Sequence, residues 1–456
     1  MSRIRLEWNV ESQKINKSDS EDPMAKRARR RRALRLIMLI GVVLAVLTFG
    51  VLVVRQRLLD VQGQLEQLLR ETVRAEIAAL RIGDINTFLA VQDNVSETWR
   101  RRQQSVFREY SDIKARHDVD LTGTILDLEI DGQRGRVVVE EIINGVRYAQ
   151  VWFYRNLGDG WRHVSPDFSF WGEERRLETD AISIRYFDLD ERFAQAISET
   201  VGEWLRRGCQ ILRCDSSPKL SIAVVKESAQ TVSPAADGTA TFHVLSPSSG
   251  RMSLDLPFDH NRQGLFAEAL SEHLIRLATD GLQVVFPQDA VYLRRSVASY
   301  LVKEFLDADG GDSLVDSLAF LYGEEKLAEL VDHLAPAASM AILQQVIGQP
   351  LEESNLDWRD FVKWRLHTEA DLIESGAEGD LLNLYDTGDE EIWQAAYQRY
   401  QTGTIFRPRA VLNQAITGRR DGSAQLQVTV VKEAGEAVEE QIVLFNLVDG
   451  VWKRAN

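Results

Sequence analysis

Residues 36–54 read LIMLIGVVLAVLTFGVLVV, nineteen positions without a charge. As a helix rising about 1.5 Å per residue they cover about 28 Å, close to the hydrocarbon thickness of a bilayer. A core helix of a water-soluble domain would carry a polar stripe, and this run has none. Lys26, Arg27, Arg29, Arg30, Arg31, Arg32 and Arg35 stand just before it, and only Arg55 and Arg57 follow closely. That asymmetry predicts a single pass through the plasma membrane, with residues 1–35 as a basic cytoplasmic tail and residues 55–456 outside. A cleaved signal peptide is the competing expectation. The distance of the basic cluster from Met1 and the length of the run weigh against it, as does the lack of a small-x-small cleavage site.

The net charge of −15 hides two unlike parts. Residues 1–35 hold eleven Lys or Arg and five Asp or Glu, which leaves the rest of the chain at −21. So acidic a body argues against nucleic acid as a partner. The partners expected are the membrane and a protein or peptide that the sequence does not identify. Cys209 and Cys214 are the only cysteines. Outside the cytoplasm they can close a short disulfide loop; two reduced thiols are the alternative.

Hydropathy patterning predicts an α+β multidomain chain. Residues 55–82 read as a juxtamembrane helix in which Leu58, Val61, Leu65 and Leu68 follow a 3-4 spacing. Helices at 86–92 and 96–114 precede strands at 121–130, 136–143, 147–155 and 161–170, separated by Asp-Gly and Asn-Gly turn signals. The order returns near the C-terminus, with helices at 370–384 and 390–401 before strands at 410–418, 424–433, 439–447 and 451–454. Leu89, Asp93, Trp99 and Gln104 match Leu382, Asp386, Trp393 and Gln398, and FYRNLGDGWRH (153–163) matches LFNLVDGVWKR (444–454). These matches suggest two copies of one domain. Helices followed by a meander with a closing D-G-x-W or D-G-W hairpin resemble the NTF2-like α+β cone family, at 72–172 and 367–456. The resemblance implies a pocket between sheet and helices. With His117 and His163 as the only histidines of the first copy, no acid–base pair stands out in the sequence.

Between the copies, residues 178–366 begin with strands and an amphipathic helix and continue as a mainly helical, small-sheet unit. Residues 265–275 read LFAEALSEHLI, residues 287–300 read PQDAVYLRRSVASY, and Gly348, Trp358, Phe361 and Trp364 follow. This order resembles the peptidase MA-like family of gluzincin zinc metallopeptidases. In that family two histidines of an H-E-x-x-H helix bind zinc, its Glu acts as general base, and a second helix adds a Glu ligand. Here Glu268 and Glu272 fall where the histidines belong, Ala269 where the base belongs, and Arg295 at the third ligand position. His273 is one residue out of register.

The resemblance therefore implies a pseudopeptidase with no catalytic residue and no cofactor. The expected function is a membrane-anchored extracytoplasmic binding or scaffold protein, the domain mix pointing to a bacterial envelope. One alternative is an active peptidase whose altered zinc site uses Glu268, Glu272 and His273 or His260. Another is a small-molecule binder working through a cone pocket. Two pairings compete for the residues of the old cleft: a solvated Glu268–Glu272–Arg276 helix face, or Arg295 standing in for the metal against Glu268 or Glu272.

Overall fold

The computed structural model describes residues 23–93, 95–214, 218–227, 233–234, 241–279, 289–309, 312–335, 339–418, 423–434 and 437–456. Most of the expected tail, and Pro287 of the second helix motif, lie outside them.

The first element, α1 (Pro23–Ile82), is one unbroken helix that changes surroundings along its length. Residues of the apolar run such as Leu36, Phe49 and Val51 are exposed on every side. Among the described residues this is the one helix long and apolar enough to cross a membrane. Farther on, a single stripe of Leu69, Val73, Ile77 and Leu80 is buried, at the spacing of one helix face. Gly83 ends the helix in the left-handed region at φ 80°, and Asp84 then caps α2 (Ile85–Ala90). The helix α3 (Glu97–Arg116) starts from a Ser96 cap.

A meander packs on these helices: β1 (Val119–Asp120), β2 (Ile125–Asp131), β3 (Arg134–Ile143), β4 (Val146–Asn156) and β5 (Trp161–Val164). The β3–β4 hairpin turns at Asn144 and Gly145, both at positive φ, as the tightest hairpins require. Two expected strands are shorter in the structure. The run 121–130 breaks at Gly123, where φ is 74°. The run 161–170 stops before Pro166 and ends in a 3-10 turn, Phe168–Phe170. Gly135 lets α1 approach the sheet, since a Cβ there would sit 2.8 Å from Leu69 Cδ2.

The middle of the chain carries β6 (Glu174–Glu178), β7 (Ile182–Phe187), α4 (Glu191–Leu212), β8 (Leu220–Val225), β9 (Ser233–Pro234), β10 (Thr241–Leu245) and β11 (Arg251–Ser253). The helices α5 (His260–Ala278), α6 (Asp289–Leu306), α7 (Ser313–Tyr322), α8 (Glu325–Asp332), α9 (Ile342–Ile347) and α10 (Arg359–Ser375) follow. The sheet runs β6-β7-β8-β10-β9, with β7–β8 and β8–β10 parallel. The short β11 leaves it and pairs with β4 of the first unit, matching Arg251 to Gln150. Cys209 and Cys214 are joined in a disulfide at the end of α4.

The last unit comprises α11 (Glu378–Leu382), α12 (Glu390–Thr402), β12 (Pro408–Gly418), β13 (Ala424–Ala434), β14 (Ala437–Val448) and β15 (Val451–Arg454) in an antiparallel meander. The expected boundary at 366/367 falls inside α10. Phe361, Val362 and Leu366 of α10 pack in a core that the middle helices share with Leu426, Phe445 and Trp452 of the last sheet, while Leu372 and Ile373 pack against α11 and α12. One helix thus runs from the core of the middle helices into the last helical cluster. Among the described residues, isolated parallel bridges join Gln92 to His163 and Tyr385 to Arg454.

Candidate functional site

The residues matched to the degenerate metal site do not converge. Glu268 and Glu272 lie on the exposed side of α5, and Ala269 between them is half-buried. Arg295 is exposed on α6 and lines an open groove of about 510 Å³ with Tyr292, Asp312, Lys363 and His367. The residue facing α5 is its neighbour: Arg294 Nε donates to Glu272 Oε2 at 3.3 Å. The Arg295–Glu272 pairing is thus replaced by one from the adjacent position, about 100° around the helix. His273 is buried against the Phe242 ring, and its Nδ1 lies 2.9 Å from Arg276 Nη2. Burial, and secondly the Arg276 charge, hold its pKa down at about 4. His260 opens α5, more than three turns away. Among the described residues no three His, Cys, Asp or Glu side chains are placed to hold a metal ion.

A different cluster does converge, inside the first α+β unit. Glu76, on the buried stripe of α1, is 1% exposed. Its Oε1 accepts from Gln92 Nε2 at 2.8 Å and lies 2.7 Å from His163 Nδ1, while Oε2 accepts from Tyr154 Oη at 2.8 Å. Burial, reinforced by the Glu76 charge, pushes the Tyr154 pKa well above its ordinary value, so the phenol stays a donor. With Gln92 and Tyr154 both donating, an ionised Glu76 requires His163 to donate from Nδ1. The imidazole stacks on Trp152 and Tyr154 and meets the edge of Trp99, whose Nε1 donates to the His163 carbonyl. Orientation of the ring is fixed from every side.

This cluster borders a cavity of about 280 Å³ between the helices and the sheet. Phe88, Trp99, Trp152 and Phe153 give it an apolar lining; Gln103 and His163 add polar atoms, and Arg102 stands at the rim. The middle unit completes the wall. Residues 248–250 line it, and Arg251 donates from Nε to Glu141 Oε1 at 2.5 Å and from Nη1 to Glu109 Oε1 at 2.8 Å. Tyr110 Oη donates to Glu141 Oε2 at 2.6 Å beneath the Arg251 guanidinium. Behind the wall, buried Asp190 accepts from Ser246 Oγ, Ser248 Oγ and Trp171 Nε1, which sets the path of the 246–250 turn.

None of Glu76, Gln103 or Arg251 stood out in the sequence, and His163 did so only as an isolated histidine. One signal was present: the offset that aligns Asp93 with Asp386 also aligns Glu76 with Glu369 and lies within two residues of aligning His163 with Arg454. Comparisons with protein-family models, curated proteins and solved structures found no match.

Proposed function

We propose that the chain is a membrane-anchored, extracytoplasmic binding protein that holds a small, largely apolar molecule in the cavity of its first α+β unit. The observation that carries this reading is the cavity itself, a concave space in which the rings of Phe88, Trp99, Trp152 and Phe153 stand beside polar and charged side chains such as Gln103, Glu109 and His163. The apolar part of α1 provides the anchor, and the same helix supplies Glu76 to the site, so the pocket is tethered to the membrane through one continuous helix. The middle unit, read as a peptidase-like frame without a catalytic set, serves as the scaffold. It lends β11 and the 248–250 segment to the pocket wall.

The test is ligand-observed NMR on the full chain in lipid nanodiscs, using a panel of small aromatic compounds. Binding that disappears when Gln103→Trp fills the cavity supports the reading. Equal binding by the filled variant overturns it.

A further inference from the structure

The open groove between α6 and α10 shares no lining residue with the cavity of the first unit. Tyr292, Ser296 and Ser299 line one side at helical spacing, and Asp360, Trp364 and His367 line the other. The rings of Tyr292 and Trp364 meet at 5.1 Å between centroids. Tyr292 is buried and Trp364 half-buried, so part of the Trp364 surface faces the groove.

The acidic side chains of the groove are already engaged. Asp312 Oδ1 accepts from Leu314 N at 3.0 Å and Val315 N at 3.1 Å, and the Tyr292 hydroxyl donates to Oδ2. Asp360 Oδ2 accepts from Ser313 N at 2.7 Å. Both carboxylates thus offset the partial positive charge at the N-terminus of α7. The cations are in the opposite position. Arg295 and Lys363 are exposed and make no hydrogen bond or ion pair among the described residues. Arg407, beyond His367, is held by Asp371 and Glu374. Burial, and then Arg407 and Lys363, hold the His367 pKa below its ordinary value, so the imidazole adds no charge at neutral pH. The Ser299 hydroxyl is exposed and also has no partner among the described residues.

The charge of the rest of the chain narrows what can pair with these cations. Residues 36–456 carry −21. At physiological salt, charges are screened over about 8 Å. A small anion inside the groove therefore feels Arg295 and Lys363, whereas a long polyanion would spread over acidic surface. A guanidinium fork matches the two oxygens of a carboxylate, and the indole beside it offers an apolar group a place out of water. We propose that the α6–α10 groove binds a small aromatic carboxylate, with its oxygens between Arg295 and Lys363 and its ring against Trp364. This is not the substrate cleft that the peptidase resemblance implies. That cleft would lie between α5 and α6, where Arg294 meets Glu272, and Arg295 stands about 100° around α6 from there.

The test uses 2-naphthoate, observed by NMR with the full chain in nanodiscs and with empty nanodiscs as the blank. Saturable binding is expected. 2-Naphthamide, which keeps the rings and loses the charge, should bind at least about 5-fold more weakly. Arg295→Gln and Lys363→Gln should each weaken naphthoate about 5-fold, the size of one exposed ion pair, and the double variant about 25-fold. Neither side chain has a partner in the fold, so the unfolding midpoints of these variants should match the wild type. Gln103→Trp, which fills the cavity of the first unit, should leave naphthoate binding unchanged, so this inference and the binding reading above fail separately. Absence of naphthoate binding overturns the proposal, as does equal affinity for naphthamide or for the double variant. Loss of binding in Gln103→Trp would move the ligand to the other cavity. Displacement of naphthoate by an equal concentration of inorganic phosphate would show a bare anion site and overturn the role of the ring.

Discussion

Glu76 on α1 and Glu369 on α10 are aligned by the same sequence offset as Asp93 and Asp386, and are held by different partners. Glu76 is met by His163, Gln92 and Tyr154, whereas Glu369 Oε2 accepts from Arg454 Nη1 at 3.0 Å, Arg399 Nη1 at 3.1 Å and Tyr385 Oη at 3.2 Å. Arg454 is only 3% exposed, so losing the carboxylate leaves a buried cation uncompensated. Glu369→Gln should therefore cost about 3–5 kcal/mol. Glu76→Gln, which leaves no guanidinium stranded, should cost about 1–3 kcal/mol. Urea unfolding of the two variants checks the difference, and equal losses would show that the two carboxylates do not differ in this way.

The architecture was legible wherever periodicity alone determines it. The charge-free run, the stripe on α1, and the hairpins at Asn144-Gly145 and Asp449-Gly450 are local patterns, and the structure places helix and strands accordingly. Two kinds of feature escaped. β11 is three residues long and becomes a strand only because β4 offers it an edge, so no sequence window announces it. The cavity draws Glu76 from α1, Gln103 from α3, His163 from β5 and Arg251 from the middle unit, and their convergence exists only after folding. That Arg294 rather than Arg295 meets Glu272 has a simpler origin. In a run of two arginines, a frame error of one residue turns the side chain by about 100°.

Arg365 of α10 and Asp289 of α6 form a buried ion pair. Arg365 Nη2 lies 2.9 Å from Asp289 Oδ1 and donates to the Trp452 carbonyl at 2.6 Å, so a single side chain ties the middle unit to the final strand. The two side chains are 2% and 1% exposed. Asp289→Asn should destabilise by about 3–5 kcal/mol, because the guanidinium stays buried without its counter-charge. The double variant Asp289→Leu/Arg365→Met should be closer to the wild type than either single change. Denaturation midpoints around this cycle provide the check, and additive losses would show that the charges do not interact.

His273 predicts acid sensitivity in the middle unit. Its folded pKa of about 4 lies below the ordinary 6.5, because burial and Arg276 oppose a second positive charge. The unfolded chain therefore binds a proton there more readily than the folded one. The stability is fully present above about pH 6.5 and is lost as pH falls through about 4. At 1.36 kcal/mol per pKa unit the loss is at most about 3 kcal/mol. His273→Gln should flatten the difference in urea midpoint between pH 7 and pH 4.5. An undiminished pH dependence in that variant would assign the effect to other groups.

The topology set by α1 and the Cys209–Cys214 disulfide should be two views of one placement. Closing so short a loop should contribute about 2 kcal/mol on a chain-entropy estimate, and the bond persists only in an oxidising compartment. Cys209→Ser/Cys214→Ser should therefore lower the unfolding midpoint while leaving a cysteine-free background for mapping. In that background Ser18→Cys and Asp112→Cys lie on either side of the apolar run. A membrane-impermeant maleimide added to right-side-out vesicles should label position 112 directly, and position 18 only after detergent. The reverse pattern would invert the topology. A mature N-terminus beyond residue 54 would instead identify the apolar run as a removed signal and release the cavity from the membrane. The ligand would then meet a soluble receptor, and nanodiscs would make no difference to its binding.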